Sequence, residues 1–159
     1  MTVPSISITL TGSGGSGVMT AGNLLLEAAG RAGWFGMMTR SAGPQIRGGE
    51  AAAMLRLSSK PVQAHQERYD ILLGIDWKNA DRFAAEIPLD GDSLVVGHGE
   101  PPAVFAAASG QQFQLDLPAI AKAVPGGRTN GGVGCGRSLG RPARNSGGAG
   151  DRQSPGTQG

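Results

Sequence analysis

Thr11-Gly12-Ser13-Gly14-Gly15-Ser16-Gly17-Val18 is the stretch on which the fold turns. Ahead of it, Ser5-Ile6-Ser7-Ile8-Thr9-Leu10 alternates apolar and polar residues and stops abruptly, as a half-buried strand does. Behind it, apolar residues at Val18, Ala21, Leu25, Ala28, Ala29 and Ala32 predict a helix from Val18 to Gly33 with one buried face. Glycines in a strand-to-helix turn take up torsions that other residues resist and let a phosphate or a second backbone approach. Gly12, Gly14 and Gly17 fit the spacing G-x-G-x-x-G. A Walker-type phosphate loop is excluded, because Val18 stands where its lysine would be.

Working outward, Trp34 to Ser41 reads as a second strand, the partner of the first in a β-α-β unit. A nicotinamide site would set an acid at its end, about 20 residues past the glycines. Met37, Met38 and Thr39 stand there instead, followed by Arg40, which could serve a 2′-phosphate. Ser41-Ala42-Gly43-Pro44-Gln45-Ile46-Arg47-Gly48-Gly49-Glu50 is a shaped loop that presents Arg47, and Ala51 to Ser58 follows as a strand. Tyr69 to Ile75 is almost wholly apolar, the pattern of a central strand covered on both faces. Asp76 can cap a following helix whose Trp77, Ala80, Phe83, Ala84 and Ile87 share one side. Asp90-Gly91-Asp92 turns the chain into a strand from Ser93 to Gly97; Phe113, Leu115 and Leu117 alternate as a last strand, and Pro118 to Val124 starts a short helix. The expected class is α/β, with glycine loops at the carboxyl ends of the strands.

Composition bounds the function. The 159 residues suit one domain, expected over residues 1–125. No apolar run reaches the roughly 18 residues of a membrane span, and no signal-peptide pattern precedes the first strand, so a cytoplasmic protein is expected. The only cysteine, Cys135, allows neither a disulfide framework nor a thiolate cluster, and His65 and His98 have no ligand spacing. Residues 126–159 hold five arginines and one acid, so the tail carries +4 and residues 1–125 carry −2 of the net +2. Twelve of those tail residues are glycine, which predicts disorder. Two readings stay open on these residues alone. One is a small NADP-binding reductase, resting on Gly12, Gly14, Gly17 and Arg40; the other is a nucleic-acid binder acting through the tail arginines.

Taken together, Gly12 to Val18, then Thr20-Ala21-Gly22, then Gly43-Pro44-Gln45-Ile46-Arg47-Gly48-Gly49-Glu50 before a strand resemble the gamma domain of 2-oxoacid:ferredoxin oxidoreductases. The resemblance runs over residues 5–130, and Met37-Met38-Thr39-Arg40-Ser41-Ala42-Gly43-Pro44 is most similar to the 2-oxoglutarate-type enzymes, whose gamma domain is fused ahead of a thiamine-binding alpha region. Ser16 departs from it, standing where that family usually has glutamine. The resemblance implies a Rossmann-like, parallel-rich sheet with helices on both faces. It implies a structural and interface part of an enzyme that decarboxylates a 2-oxoacid such as 2-oxoglutarate or pyruvate oxidatively with coenzyme A, passing electrons to ferredoxin. Thiamine diphosphate, magnesium and iron–sulfur clusters are then expected on partner alpha and beta subunits or domains. No membrane or nucleic-acid partner is implied, and no catalytic residue falls on this chain. Gly12, Gly14, Gly15, Gly17, Arg47, Gly48 and Gly49 are the expected contacts to a partner domain or a coenzyme A phosphate. The family continues past Asn130 with an apolar helix, typically beginning Met-Val-Ala-Leu-Gly. A two-base shift within one choice of codons for Met-Val-Ala-Leu-Gly-Val and the start of one more codon yields Gly-Gly-Val-Gly-Cys-Gly, the run from Gly131 to Gly136. The expectation is therefore a tail read out of frame on the front end of a longer subunit, inactive by itself.

Overall fold

The computed structural model describes residues 5–43, 49–64 and 66–123. Arg47, Gly48, His65, Cys135 and the tail over 126–159 lie outside the described residues.

A mixed six-stranded sheet carries helices on both faces. In chain order it is built from β1 (Ser5–Ser13), α1 (Val18–Arg31), β2 (Phe35–Ala42), β3 (Glu50–Ser58) and β4 (Ile71–Gly74). A 3-10 turn at Ala80–Phe83, β5 (Leu94–Gly97), α2 (Ala103–Ala108), β6 (Gln111–Gln114) and α3 (Leu117–Ala123) complete it. The strand order is β2-β3-β1-β4-β5-β6. The β1/β4, β4/β5 and β5/β6 pairs are parallel, while β3 runs antiparallel to both β1 and β2. This is the expected α/β, parallel-rich architecture with one difference. The second strand does not pair with the first: β3 is inserted between them, because β2 and β3 form a hairpin that folds back beside β1.

Each sheet face has its own core. On one, α1 packs through Val18 onto Leu10, Ala51, Ala53 and Leu55. On the other, Ala80, Phe83, Ile87 and Phe105 pack onto Ala52, Met54, Leu72 and Val95. Strand alternation sorts the residues between the two, odd and even positions of β3 facing opposite ways.

The buried line of α1 differs from the apolar stripe. Val18 and Gly22 are buried and Leu26 packs against the core, whereas Leu25 and Ala28 are exposed. Gly22 is the reason. With no side chain it lets the helix approach β2 and β3, and a Cβ there would lie 2.9 Å from Met38 Sδ and 3.0 Å from Ala53 Cβ. The helix ends as read, with Gly33 left-handed at φ 81° and its amide donating to Gly30 O at 3.1 Å.

The segment after Asp76 buries Ala80, Phe83 and Ile87 as expected, but through a short 3-10 turn instead of a helix. Asn79, left-handed at φ 54°, breaks any longer helix there. The last strand is also shorter than the alternation suggested: β6 ends at Gln114, Leu115 lies beyond it, and Leu117 opens α3. Phe113 is exposed on this edge strand. Asp90-Gly91-Asp92 is a structural turn at the amino end of β5. Asp90 accepts from the Asp92 amide at 3.0 Å and pairs with Arg68, while Ser93 Oγ donates to Tyr69 O at 2.7 Å. The Asp92 amide first, then Arg68 and the Ser93 hydroxyl, hold the Asp90 carboxyl below the ordinary aspartate range against the effect of burial. Among the described residues, no helix is long and apolar enough to cross a membrane.

Candidate functional site

The carboxyl ends of β1, β2 and β4 and the amino end of β3 meet at one edge of the sheet. The β1–β3 register sets what lies there. Ser13 stands opposite Glu50, and one step further the Gly14 amide donates to Gly49 O. The structure thus brings the first glycine motif against the end of the second. Gly43, on the far side of the hairpin, donates to Glu50 O at 2.9 Å.

The candidate glycines take different parts. Gly12 lies within β1, buried, opposite Ala51, and its missing side chain leaves room for Ser16 Oγ and the Val18 side chain. It is a packing glycine and faces no open space. Gly14 and Gly15 are exposed, and Gly15 and Gly17 are left-handed at φ 90° and φ 97°. Gly17 forms the N-cap of α1, which has no side-chain cap and no acid in its first turn. The first-turn amides of α1 therefore have no side-chain cap and no neighbouring acid, an arrangement suited to an anion. Gly49 is buried just before β3.

The edge also gathers residues that motif reading passed over. Asp76 accepts from the Ser13 amide at 2.8 Å (Oδ2), from Ser13 Oγ at 2.9 Å (Oδ1) and from the Lys78 amide at 3.1 Å (Oδ1). Its sequence signal was that of a cap, which it supplies locally to Lys78. Glu50 is 3% exposed and receives Arg82 Nη1 at 2.9 Å on Oε1, while Oε2 is buried without a hydrogen-bond partner. The Glu50 carboxyl is held below the ordinary glutamate range, first by its own backbone amide and next by Arg82; burial opposes both and does not win. Gly43 lies directly beneath that carboxylate, so any side chain at 43 would collide with it. Trp77 lays its indole over Gly74 and Gly97, where a Cβ would strike the ring, and its Nε1 donates to Gly99 O at 3.3 Å.

Arg40, the residue that motivated a 2′-phosphate, donates to Asn23 Oδ1 at 3.2 Å and sits on β2, two strands away from β1. Insertion of β3 removes the β1–β2 adjacency on which a ribose contact at the second strand's end depends. Among the described residues no cluster of three or more His, Cys, Asp or Glu could hold a metal ion, and one cysteine in the chain cannot ligate an iron–sulfur cluster.

The family profile of pyruvate ferredoxin/flavodoxin oxidoreductase matches residues 7–142 of this chain. The fold is similar to that of the 2-oxoglutarate:ferredoxin oxidoreductase from Magnetococcus marinus, solved with 2-oxoglutarate, coenzyme A and succinyl-CoA bound. That likeness has a TM-score of 0.63 and 20% identity, covering 77% of this chain and 21% of that one. It is similar also to the pyruvate oxidoreductase subunit PORC from Thermotoga maritima, with a TM-score of 0.57 and 21% identity over 74% of this chain and 65% of that one. The chain spans less than two thirds of either. A comparison with curated protein sequences gives no match.

Proposed function

Since the chain belongs to the pyruvate ferredoxin/flavodoxin oxidoreductase family, we propose that it is the gamma, interface-forming portion of a 2-oxoacid:ferredoxin oxidoreductase. The assembled enzyme would decarboxylate a 2-oxoacid such as 2-oxoglutarate or pyruvate, transfer the acyl group to coenzyme A and pass the electrons to ferredoxin. Thiamine diphosphate with magnesium supplies the carbanion chemistry in such systems and iron–sulfur clusters carry the electrons; both would be held by alpha and beta subunits or domains. The observation that carries the reading is the family match over residues 7–142.

This chain's own part is recognition. The uncapped α1 N-terminus, with Gly14, Gly15 and Gly17 around it, offers backbone donors to a coenzyme A phosphate or to a carboxylate of a partner domain. Gly49 anchors the adjoining hairpin against that loop. Arg47 and Gly48 are proposed with them on the strength of the sequence alone. Gly12 shapes the loop from beneath.

The test is reconstitution of the full chain with thiamine-binding and iron–sulfur subunits of a 2-oxoacid:ferredoxin oxidoreductase, read as coenzyme A-dependent reduction of a viologen dye by 2-oxoglutarate or pyruvate. Turnover is expected only from the assembly, and none from this chain alone. Failure of the chain to join the assembly, together with micromolar NADPH binding by the chain itself, would overturn the proposal in favour of a nicotinamide reductase.

A further inference from the structure

We propose that Asp76 is a resident anion that fills the crevice between β1 and β4 and bars phosphate-bearing dinucleotides from it. The inference stands whether or not the chain works in an oxidoreductase complex. It starts from topology. β1 and β4 are parallel neighbours, but the chain leaves β1 for α1 on one face and leaves β4 for the 3-10 turn on the other. That divergence is the switch point, the place where open α/β sheets gather ligands outside their carboxyl ends.

In this crevice the donors are already taken. The β1–β4 ladder runs up to the Ile75 amide, which donates to Thr11 O at 2.8 Å. The next rung would join the Ser13 amide to the Ile75 carbonyl, just past β4. That amide instead donates to Asp76 Oδ2 at 2.8 Å, while Ser13 Oγ and the Lys78 amide converge on Oδ1 at 2.9 Å and 3.1 Å. Two amides and a hydroxyl around one carboxylate are the donor set that a phosphate would otherwise be offered. A phosphate entering here would lose those donors and meet a like charge. Trp77, seated over Gly74 and Gly97, covers the neighbouring β4–β5 ends. A phosphate ligand of the glycine loop is thereby directed to its outer side, at Gly15, Gly17 and the first turn of α1.

The opposite end of the seam supplies an internal control. There the Ser7 amide donates to Asp70 Oδ2 at 2.7 Å, and the Asp70 amide donates to Ser7 O at 2.9 Å. Both ends of the β1–β4 seam are closed by an aspartate, but only Asp76 borders the glycine loop.

The experiment titrates the full chain with inorganic phosphate and with NADPH, following the Ser13 amide and the Trp77 indole N–H by NMR. The wild-type chain should show no phosphate-dependent change at Ser13. Asp76→Ala should bind phosphate at Ser13 at least about tenfold more tightly than wild type, with a larger rise in melting temperature in phosphate than wild type shows. Asp76→Asn, which keeps the shape and loses the charge, should gain less. Asp70→Ala should gain nothing. If Asp76→Ala does not fold, Asp76→Asn decides the matter by the same readouts. Phosphate binding at Ser13 in wild type, no gain in the Asp76 variants, or an equal gain in Asp70→Ala would overturn the proposal.

Discussion

Gly22→Ala and Gly30→Ala make the same chemical change in the same helix, and the structure gives them opposite signs. Alanine is the better helix former and narrows the unfolded ensemble, which together stabilise by about 0.5–1 kcal/mol where nothing else changes. Gly30 is such a place, since a Cβ there would meet nothing within 4 Å. At Gly22 the same Cβ would sit 2.9 Å from Met38 Sδ and 3.0 Å from Ala53 Cβ. The thioether can swing aside. Ala53 cannot, because it is fully buried in the middle of β3, so α1 must lift by a few tenths of an ångström. Overpacking of this kind costs about 1–3 kcal/mol, which exceeds the helix gain and leaves a net loss of about 1 kcal/mol. Urea unfolding of the two full-length variants beside wild type measures both signs. The lift should also loosen the glycine loop, read as faster hydrogen exchange of the Gly14 amide that donates to Gly49 O. Equal stabilisation by both substitutions would refute the claim that Gly22 seats the helix.

Two further expectations rest on single residues. Leu72 is fully buried at the centre of the sheet, so Leu72→Ala should cost about 2–5 kcal/mol in urea unfolding, whereas Leu24→Ala, at an exposed position on α1, should change little. The Glu50 carboxyl lies below its ordinary value in the folded chain, so its stabilising contribution is full above the unfolded glutamate value and is lost as pH falls through the folded one. Glu50→Gln should therefore flatten the acid limb of the stability–pH curve, and Arg82→Ala should raise the Glu50 titration followed by carboxyl NMR.

What the sequence made legible was local. The strand, glycine loop and helix from Ser5 to Arg31, the apolar β4 and the turn at Asp90 are all encoded by short-range period and by turn residues. Pairing was not. Nothing in the run of β2 says that β3 will slip between it and β1, since that choice depends on the hairpin and on which faces remain to be covered. The stripe on α1 was misplaced because a glycine on the contact line carries no hydrophobic signal. Of the site, the glycines could be read, but Asp76 and Ser13 are 63 positions apart and Glu50 and Arg82 are 32 apart. Each of those four residues, taken singly, resembles an ordinary surface or capping residue.

The meeting of the two glycine motifs follows from register alone. β1 and β3 pair antiparallel from Ser5 opposite Ser58 to Ser13 opposite Glu50, so the next pair in the same count is Gly14 and Gly49. A slip of one residue would turn the apolar set of β3 to the wrong face, taking Ala53 and Leu55 away from α1 and Ala52 and Met54 away from the 3-10 turn. The two cores therefore hold the register, and the register holds the loops together. This also explains why β3 must be antiparallel. A strand that runs down from the loop edge leaves the residue just before it, Gly49, at the carboxyl end of β1. A parallel strand would start at the opposite end of the sheet and leave the loop after β1 without its neighbour. The insertion that removes the nicotinamide geometry is thus the same feature that builds the edge proposed for recognition.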